Sequence, residues 1–188
     1  MILHQEGWRE DRDVFGFRGT PMMKKAVYPG MFDPFTNGHL DVIKRGSMVF
    51  DTLVVSVGCN PLKEALFTVE ERMEMIQEQV ADLGNVEVDS FSGMLVDYLK
   101  TQQTNIILRG IRTVSDFEYE FQRALTNRVL DSSVETVFIM TSEQYSFLNS
   151  TLIKEIVSLG GSVGQFVPHS VERCLMQKFK QVYEKSIE

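Results

Sequence analysis

The chain has 188 residues, 43% of them hydrophobic and 24% charged, with a formal net charge of -7. That length suits one compact domain, and the composition excludes disordered, collagen-like and coiled-coil classes. The acidic balance argues against nucleic acid as a partner, no apolar run approaches the roughly 20 residues of a membrane span, and two cysteines, Cys59 and Cys174, do not make a secreted disulfide scaffold. A cytoplasmic protein is the expectation, and its function has to come from motifs.

Residues 1–22 carry the only Trp and show neither a helical nor a strand period. Arg9, Arg12 and Arg18 stand against Glu6, Glu10, Asp11 and Asp13. There is no apolar core of a secretory signal, and the acids argue against a transit peptide. We read 1–22 as a flexible N-terminal extension and 23–188 as a single domain. The alternative for 1–22 is a packing arm using Trp8, Phe15 and Phe17.

Ala26-Val27-Tyr28 reads as a first strand ending at Pro29-Gly30, and 39–50 as an amphipathic helix. The β-branched run 52–58 has the pattern of a buried parallel strand. Thr68-x-x-Glu71 is a capping box that opens a helix closed by Gly84. Residues 86–91 alternate as a third strand, 94–99 suggest a short helix, and 105–108 a fourth strand. Ser115-x-x-Glu118 reads as a second capping box, opening a helix to about Leu130, followed by a fifth strand over 134–140. Helices near 150–159 and 169–184 complete the chain. This alternation predicts an α/β protein with a doubly wound, five-stranded parallel sheet, whose ligands gather at the carboxyl ends of the strands.

The first strand-end loop runs Tyr28-Pro-Gly-Met-Phe-Asp-Pro-Phe-Thr-Asn-Gly-His39 and matches neither the dinucleotide fingerprint nor the P-loop. Gly30 and Gly38 permit close backbone approach, and amides at a helix start can hold phosphate. An isolated His39 there would be a helix cap with a structural imidazole, but the neighbouring loops favour a ligand role. Lys63 follows the second strand. Arg109 and Arg112 flank Gly110 in a loop after the fourth strand, with no acid before Asp116, and paired guanidinium groups suit phosphate oxygens. The bland alternative is a rim salt bridge to Asp116 or Glu118. Glu120 faces either solvent or a ligand hydroxyl. Ser142–Thr151 is polar and ends in a hydroxyl-rich helix start, with Lys154 one turn on. No Ser-His-Asp set, activated Cys or metal-binding cluster is evident. These residues predict a polyphosphate site for phosphoryl or nucleotidyl transfer.

Four segments, YPGMFDPFTNGH, FTVEER, RGIRTVSDFEYE and YSFLNST, stand in order between about Lys24 and Lys178. Together they resemble the bacterial-type phosphopantetheine adenylyltransferases, of the nucleotidyltransferases with a TxGH or HxGH loop and a Rossmann-like fold. The resemblance implies that ATP and 4'-phosphopantetheine give dephospho-coenzyme A and pyrophosphate by direct in-line attack, with Mg²⁺ as cofactor. It implies catalytic roles for His39, Lys63 and Arg109. ATP contacts would come from Met31, Phe32, His39, Gly110, Ile111, Arg112, Glu120, Tyr145, Ser146, Phe147, Leu148, Asn149, Ser150 and Thr151. Met31, Lys63, Leu95 and Arg109 would contact phosphopantetheine. A homohexamer and feedback inhibition by coenzyme A are further implications, with no protein metal ligand. Met31 departs from the Thr or Ser usual there, whose hydroxyl would meet a phosphate. The sequence leaves the protonation state of His39 open. The competing readings are a nucleotidyltransferase for nicotinate mononucleotide or glycerol 3-phosphate, and a nucleotide-binding regulatory module without turnover.

Overall fold

A computed structural model describes residues 24–59 and 64–185. The extension assigned to 1–22, and Lys63, lie outside the described residues. In chain order the elements are β1 (Lys25–Gly30), α1 (Asn37–Ser47), β2 (Thr52–Cys59), α2 (Val69–Val80), β3 (Val86–Ser92) and α3 (Leu95–Thr101). They continue with β4 (Ile106–Ile111), α4 (Val114–Leu130), β5 (Glu135–Met140), a 3-10 turn (Glu143–Tyr145), α5 (Ser150–Ser158) and α6 (His169–Lys185). The five strands pair in parallel in the order β3-β2-β1-β4-β5. Winding therefore reverses between β1 and β4, which makes their carboxyl ends the switch point where such sheets bind ligands.

The central strands β2, β1 and β4 are buried on both faces, and strand alternation decides which face each residue serves. Ala26, Tyr28, Leu53, Val55 and Val57 join Phe35, Val42, Ile43, Ile76, Ile153 and Leu175 in the larger core. Val27, Val54 and Ile107 point the other way, into a smaller core with Val96, Leu99 and Val134. There Ser56 Oγ lies 2.8 Å from the Tyr98 hydroxyl, which donates to Asp89 at 2.7 Å, so α3 is tied to β2 and β3 by polar as well as apolar contacts.

The first long helix spans Asn37–Ser47 rather than 39–50, and two further boundaries that differ from the sequence expectations bear on the site. β4 runs on to Ile111, because Arg109, Gly110 and Ile111 pair with Phe138, Ile139 and Met140 of β5. Arg109 thus projects from the sheet itself rather than from a loop. The helix opened by Ser115 in the sequence reading starts at Val114 instead, with Thr113 as the cap. The Thr113 side chain accepts from the Asp116 N–H at 3.2 Å, while the Ser115 hydroxyl lies 3.1 Å from that of Thr113. The Thr68–Glu71 capping box forms as expected.

Helix α1 lies directly on β4. A Cβ at Gly110 would fall 2.7 Å from Val42 Cγ2, inside any tolerable contact. Gly110→Ala is expected to destabilise the protein by about 1–3 kcal/mol through overpacking, read as a lower denaturant midpoint at unchanged m-value.

Candidate active site

Above the carboxyl ends of β1 and β4 is a cavity of about 240 Å³. Its first wall is the β1–α1 loop. Thr36, extended at φ -128 and ψ 164, caps α1 and accepts from the His39 N–H at 3.2 Å. His39 Nδ1 in turn accepts from the Thr36 N–H at 3.1 Å. The imidazole thus takes the place that Glu or Gln fills in an ordinary capping box. The capping role weighed for it in the sequence is present, and the same ring lines the cavity. Because Nδ1 is an acceptor, the neutral ring carries its proton on Nε2. Phe32 meets the ring edge-on at 5.0 Å, and Phe35 lies at 5.8 Å. Burial, then the charges of Arg112 and Arg109, push the His39 pKa down from 6.5 to about 3. A neutral N–H donor results.

Phe32 stands at φ 50, a left-handed conformation that costs a non-glycine residue about 1–3 kcal/mol. Its ring lies across Gly30, where a Cβ would come within 2.7 Å of it, so the glycine makes room for the aromatic side chain. Asp33, 6% exposed, anchors the same loop by accepting from the N–H groups of Leu66 and Phe67, both at 3.0 Å, and from Lys154 Nζ at 2.8 Å. Behind Met31, Arg72 Nη1 donates to the Met31 carbonyl at 2.8 Å, and its Nε donates to the Thr68 carbonyl at 3.1 Å.

The second wall carries both arginines, and both are paired: the salt bridge to Asp116 held as the alternative forms on Arg112, and Arg109 pairs with Glu120, which the sequence did not single out as its partner. Arg109 grips Glu120 through Nε at 2.7 Å and Nη2 at 2.5 Å, and its Nη1 donates to the Pro29 carbonyl. Arg112 grips Asp116 at 2.6 and 3.0 Å, and its Nη1 donates to the Leu148 carbonyl. The reason is helical geometry. Asp116 and Glu120, one turn apart on α4, hang over the end of β4 together. Each guanidinium has five N–H groups and uses three, so two per arginine remain for a ligand.

The third wall is the segment after β5. Asp41 of α1 accepts from the Ser142 N–H at 2.9 Å and from its hydroxyl at 2.8 Å. Asn149 caps α5, accepting from the Leu152 N–H at 2.8 Å, and Ser150 Oγ donates to the Pro34 carbonyl at 3.0 Å. The cavity is lined by ten of the expected residues: Met31, Phe32, His39, Arg109, Gly110, Arg112, Glu120, Leu148, Asn149 and Ser150. Tyr145, Ser146, Phe147, Thr151 and Ile111 are not among its lining residues, and Ile111 is buried in the sheet. Phe147 is 56% exposed, with its ring against Phe166. Leu95 borders a smaller recess on the far side of Arg109 and Glu120, with Arg123 and Asn127.

Sequence reading missed Tyr28, Thr36, Val42, Asp116 and Thr141 as lining residues. Only Thr36 left a usable signal, since Thr-x-x-His is a capping box with imidazole in the acidic position. Burial raises the Tyr28 phenol to about 12, so it is a neutral hydroxyl.

The Cytidylyltransferase-like family model matches residues 27–156. The chain is 53% identical over 159 residues to a phosphopantetheine adenylyltransferase of Caldanaerobacter subterraneus, covering 85% of this chain and 99% of that protein. It is 54% identical over 158 residues to the phosphopantetheine adenylyltransferase of Syntrophus aciditrophicus, covering 84% and 96%. Among solved structures, a protein assigned as a nicotinate-nucleotide adenylyltransferase from Vibrio parahaemolyticus superposes with a TM-score of 0.61 at 18% identity, covering 82% of this chain and 99% of that one. A bifunctional NMN adenylyltransferase/ADP ribose pyrophosphatase from Francisella tularensis superposes at 0.60 and 15% identity, covering 87% of this chain and 55% of that one. At such identities these two share the fold.

Proposed function

The chain belongs to the phosphopantetheine adenylyltransferase family, and from that premise we propose that it transfers the adenylyl group of ATP to 4'-phosphopantetheine, a step of coenzyme A biosynthesis in the cytoplasm. A phosphate oxygen of phosphopantetheine forms a bond to the α-phosphorus of ATP, the bond to the β-phosphate oxygen breaks, and pyrophosphate leaves. The attacking phosphate is already ionised near neutral pH, so no protein nucleophile or general base is required. The observation that carries this reading is the neutral, Nε2-protonated His39 on the cavity wall, facing the same space as Arg109 and Arg112. It is a fixed donor for a phosphate oxygen as charge builds in the transition state. Arg109 and Lys63 take the acceptor's phosphate, Arg112 and the amides at the start of α5 take the nucleotide phosphates, and orientation supplies much of the rate.

Asp116 and Glu120 both face guanidinium groups, and the described residues hold no cluster of three His, Cys, Asp or Glu able to bind a metal ion. The donor set therefore suits Mg²⁺ held by phosphate oxygens and water, an ion that keeps much of its hydration. When bound it neutralises charge on the departing pyrophosphate. We assign the homohexamer interface to the outer face of α4, where Val114, Tyr119 and Val129 are 78%, 60% and 87% exposed. Coenzyme A, which shares the pantetheine arm, competes for the same site as a feedback inhibitor. No described helix is long and apolar enough to cross a membrane.

Pyrophosphate release from ATP with 4'-phosphopantetheine tests the assignment, with nicotinate mononucleotide and glycerol 3-phosphate as competing acceptors. Release only with another acceptor would overturn the substrate. The same assay reads Met31→Thr, which restores a hydroxyl to the cavity wall. A charge-assisted hydrogen bond of about 1.5–3 kcal/mol is at stake, so KM for phosphopantetheine is expected to fall by about tenfold or more. An unchanged KM would mean that the hydroxyl is dispensable here.

A further inference from the structure

Arg72, in the first turns of α2, is 3% exposed. Its hydrogen bonds go to two neutral carbonyls, those of Met31 and Thr68, and no carboxylate forms an ion pair with it among the described residues. Glu70, held low first by a backbone N–H and by Thr68, feels the Arg72 charge only as a lesser influence from its exposed position. Among the described residues, the other cations named around the cavity are matched: Arg109 with Glu120, Arg112 with Asp116, and Lys154 with Asp33. A buried charge left without a counter-ion is costly and is rarely retained for stability alone. The position of this one is informative. Met31 lines the cavity, so a single peptide unit separates the guanidinium from the ligand space.

That peptide is oriented by the contact. The bond between Met31 and Phe32 is trans, since the cis peptide in the described chain is Asp33–Pro34. With the Met31 carbonyl turned to Arg72, the Phe32 N–H points the opposite way. It donates to no atom of the described residues.

We infer that Arg72 is a positioning residue for the anion held by the β1–α1 loop. It fixes the Met31–Phe32 peptide so that its N–H faces the ligand, and its unmatched charge is balanced when a phosphate arrives. The inference rests on the proposed adenylyl transfer for the identity of that phosphate. The charge acts on bound substrate and transition state alike, so its signature is in affinity and KM more than in kcat.

Arg72→Gln keeps a donor and removes the charge, whereas Arg72→Lys keeps the charge. Calorimetric titration of the full chain with inorganic pyrophosphate and with ATP, steady-state kinetics, and the ligand-free unfolding midpoint separate the possibilities. Arg72→Gln is expected to weaken pyrophosphate and ATP binding and to raise KM for phosphopantetheine by about tenfold, with the unfolding midpoint unchanged or higher. Arg72→Lys is expected to recover most of that affinity. Equal losses in both variants overturn the role of charge. A lower midpoint with affinities within about twofold of wild type makes Arg72 a structural residue only, and overturns the inference. A wild-type protein that binds pyrophosphate but does not turn over phosphopantetheine refutes the proposed reaction instead, and the pyrophosphate titration still decides the role of Arg72.

Discussion

Replacing His39 with Ala is expected to lower kcat by about 10²–10³-fold, the usual cost of removing one fixed donor from a developing negative charge. Because the imidazole also caps α1, the same change should cost about 0.5–2 kcal/mol of stability. His39→Gln separates the two effects. Glutamine at the third helical position can complete a capping box with Thr36, so it should keep the fold at nearly wild-type stability while losing the activity. Near-wild-type kcat in both variants would remove His39 from the chemistry. The titration of the ring gives a second check. His39 is neutral in the fold down to about pH 3 but takes its proton near 6.5 when unfolded. Between those values the unfolded chain binds more protons, so His39 makes stability fall as pH drops through that window, by at most about 1.4 kcal/mol per pH unit. The kcat profile should show no limb from His39 across the neutral range, and a limb near 6.5 that disappears in His39→Gln would contradict the neutral donor.

Glu120→Ala is expected to cost about 3–5 kcal/mol, because it strands a guanidinium that is mostly out of water. The side chains of Arg109 and Glu120 are 19% and 11% exposed and meet through two parallel hydrogen bonds. Chemical denaturation reads the loss directly. Removing both partners, as Arg109→Met with Glu120→Met, should recover most of the stability and none of the activity. A loss below about 1 kcal/mol in Glu120→Ala would place the pair among solvated surface bridges. The pairing matters for mechanism as well as for stability. Arg109 reaches the cavity already oriented, with its remaining N–H groups free for phosphate, so little rotamer entropy is lost when a substrate arrives.

The strand runs and capping signals made the parallel α/β plan legible from the residues alone. The run from Leu53 to Val57 is buried throughout, and a β-branched stretch whose one polar residue is Ser56 reads as a central strand without help from its neighbours. Edges that pairing decides were harder to read. Arg109 to Ile111 look like a loop until β5 is set beside them.

The site was legible in outline. His39, Arg109 and Arg112 stood out by their places at strand ends, and the resemblance to a family supplied the substrates, which spacing did not. Asp116 stood in the sequence as the alternative partner of the arginines, but Glu120 was hidden as a partner because it reaches Arg109 only after the chain turns from β4 into α4. Arg72 entered only as the last residue of FTVEER and drew no role of its own, since by spacing it looks like an ordinary solvated helix residue. Its burial comes from the packing of α2 against the β1–α1 loop, a tertiary fact that helical periodicity does not carry.

The bridge from Asp41 to Ser142 spans 101 residues of chain. During synthesis at about 5–20 residues per second, roughly 5–20 s separate the emergence of the two partners from the ribosome. For that interval the third wall of the cavity has not been made, so the proposed nucleotide site is incomplete. Stabilisation by the proposed substrate would therefore reach only molecules whose synthesis has passed β5.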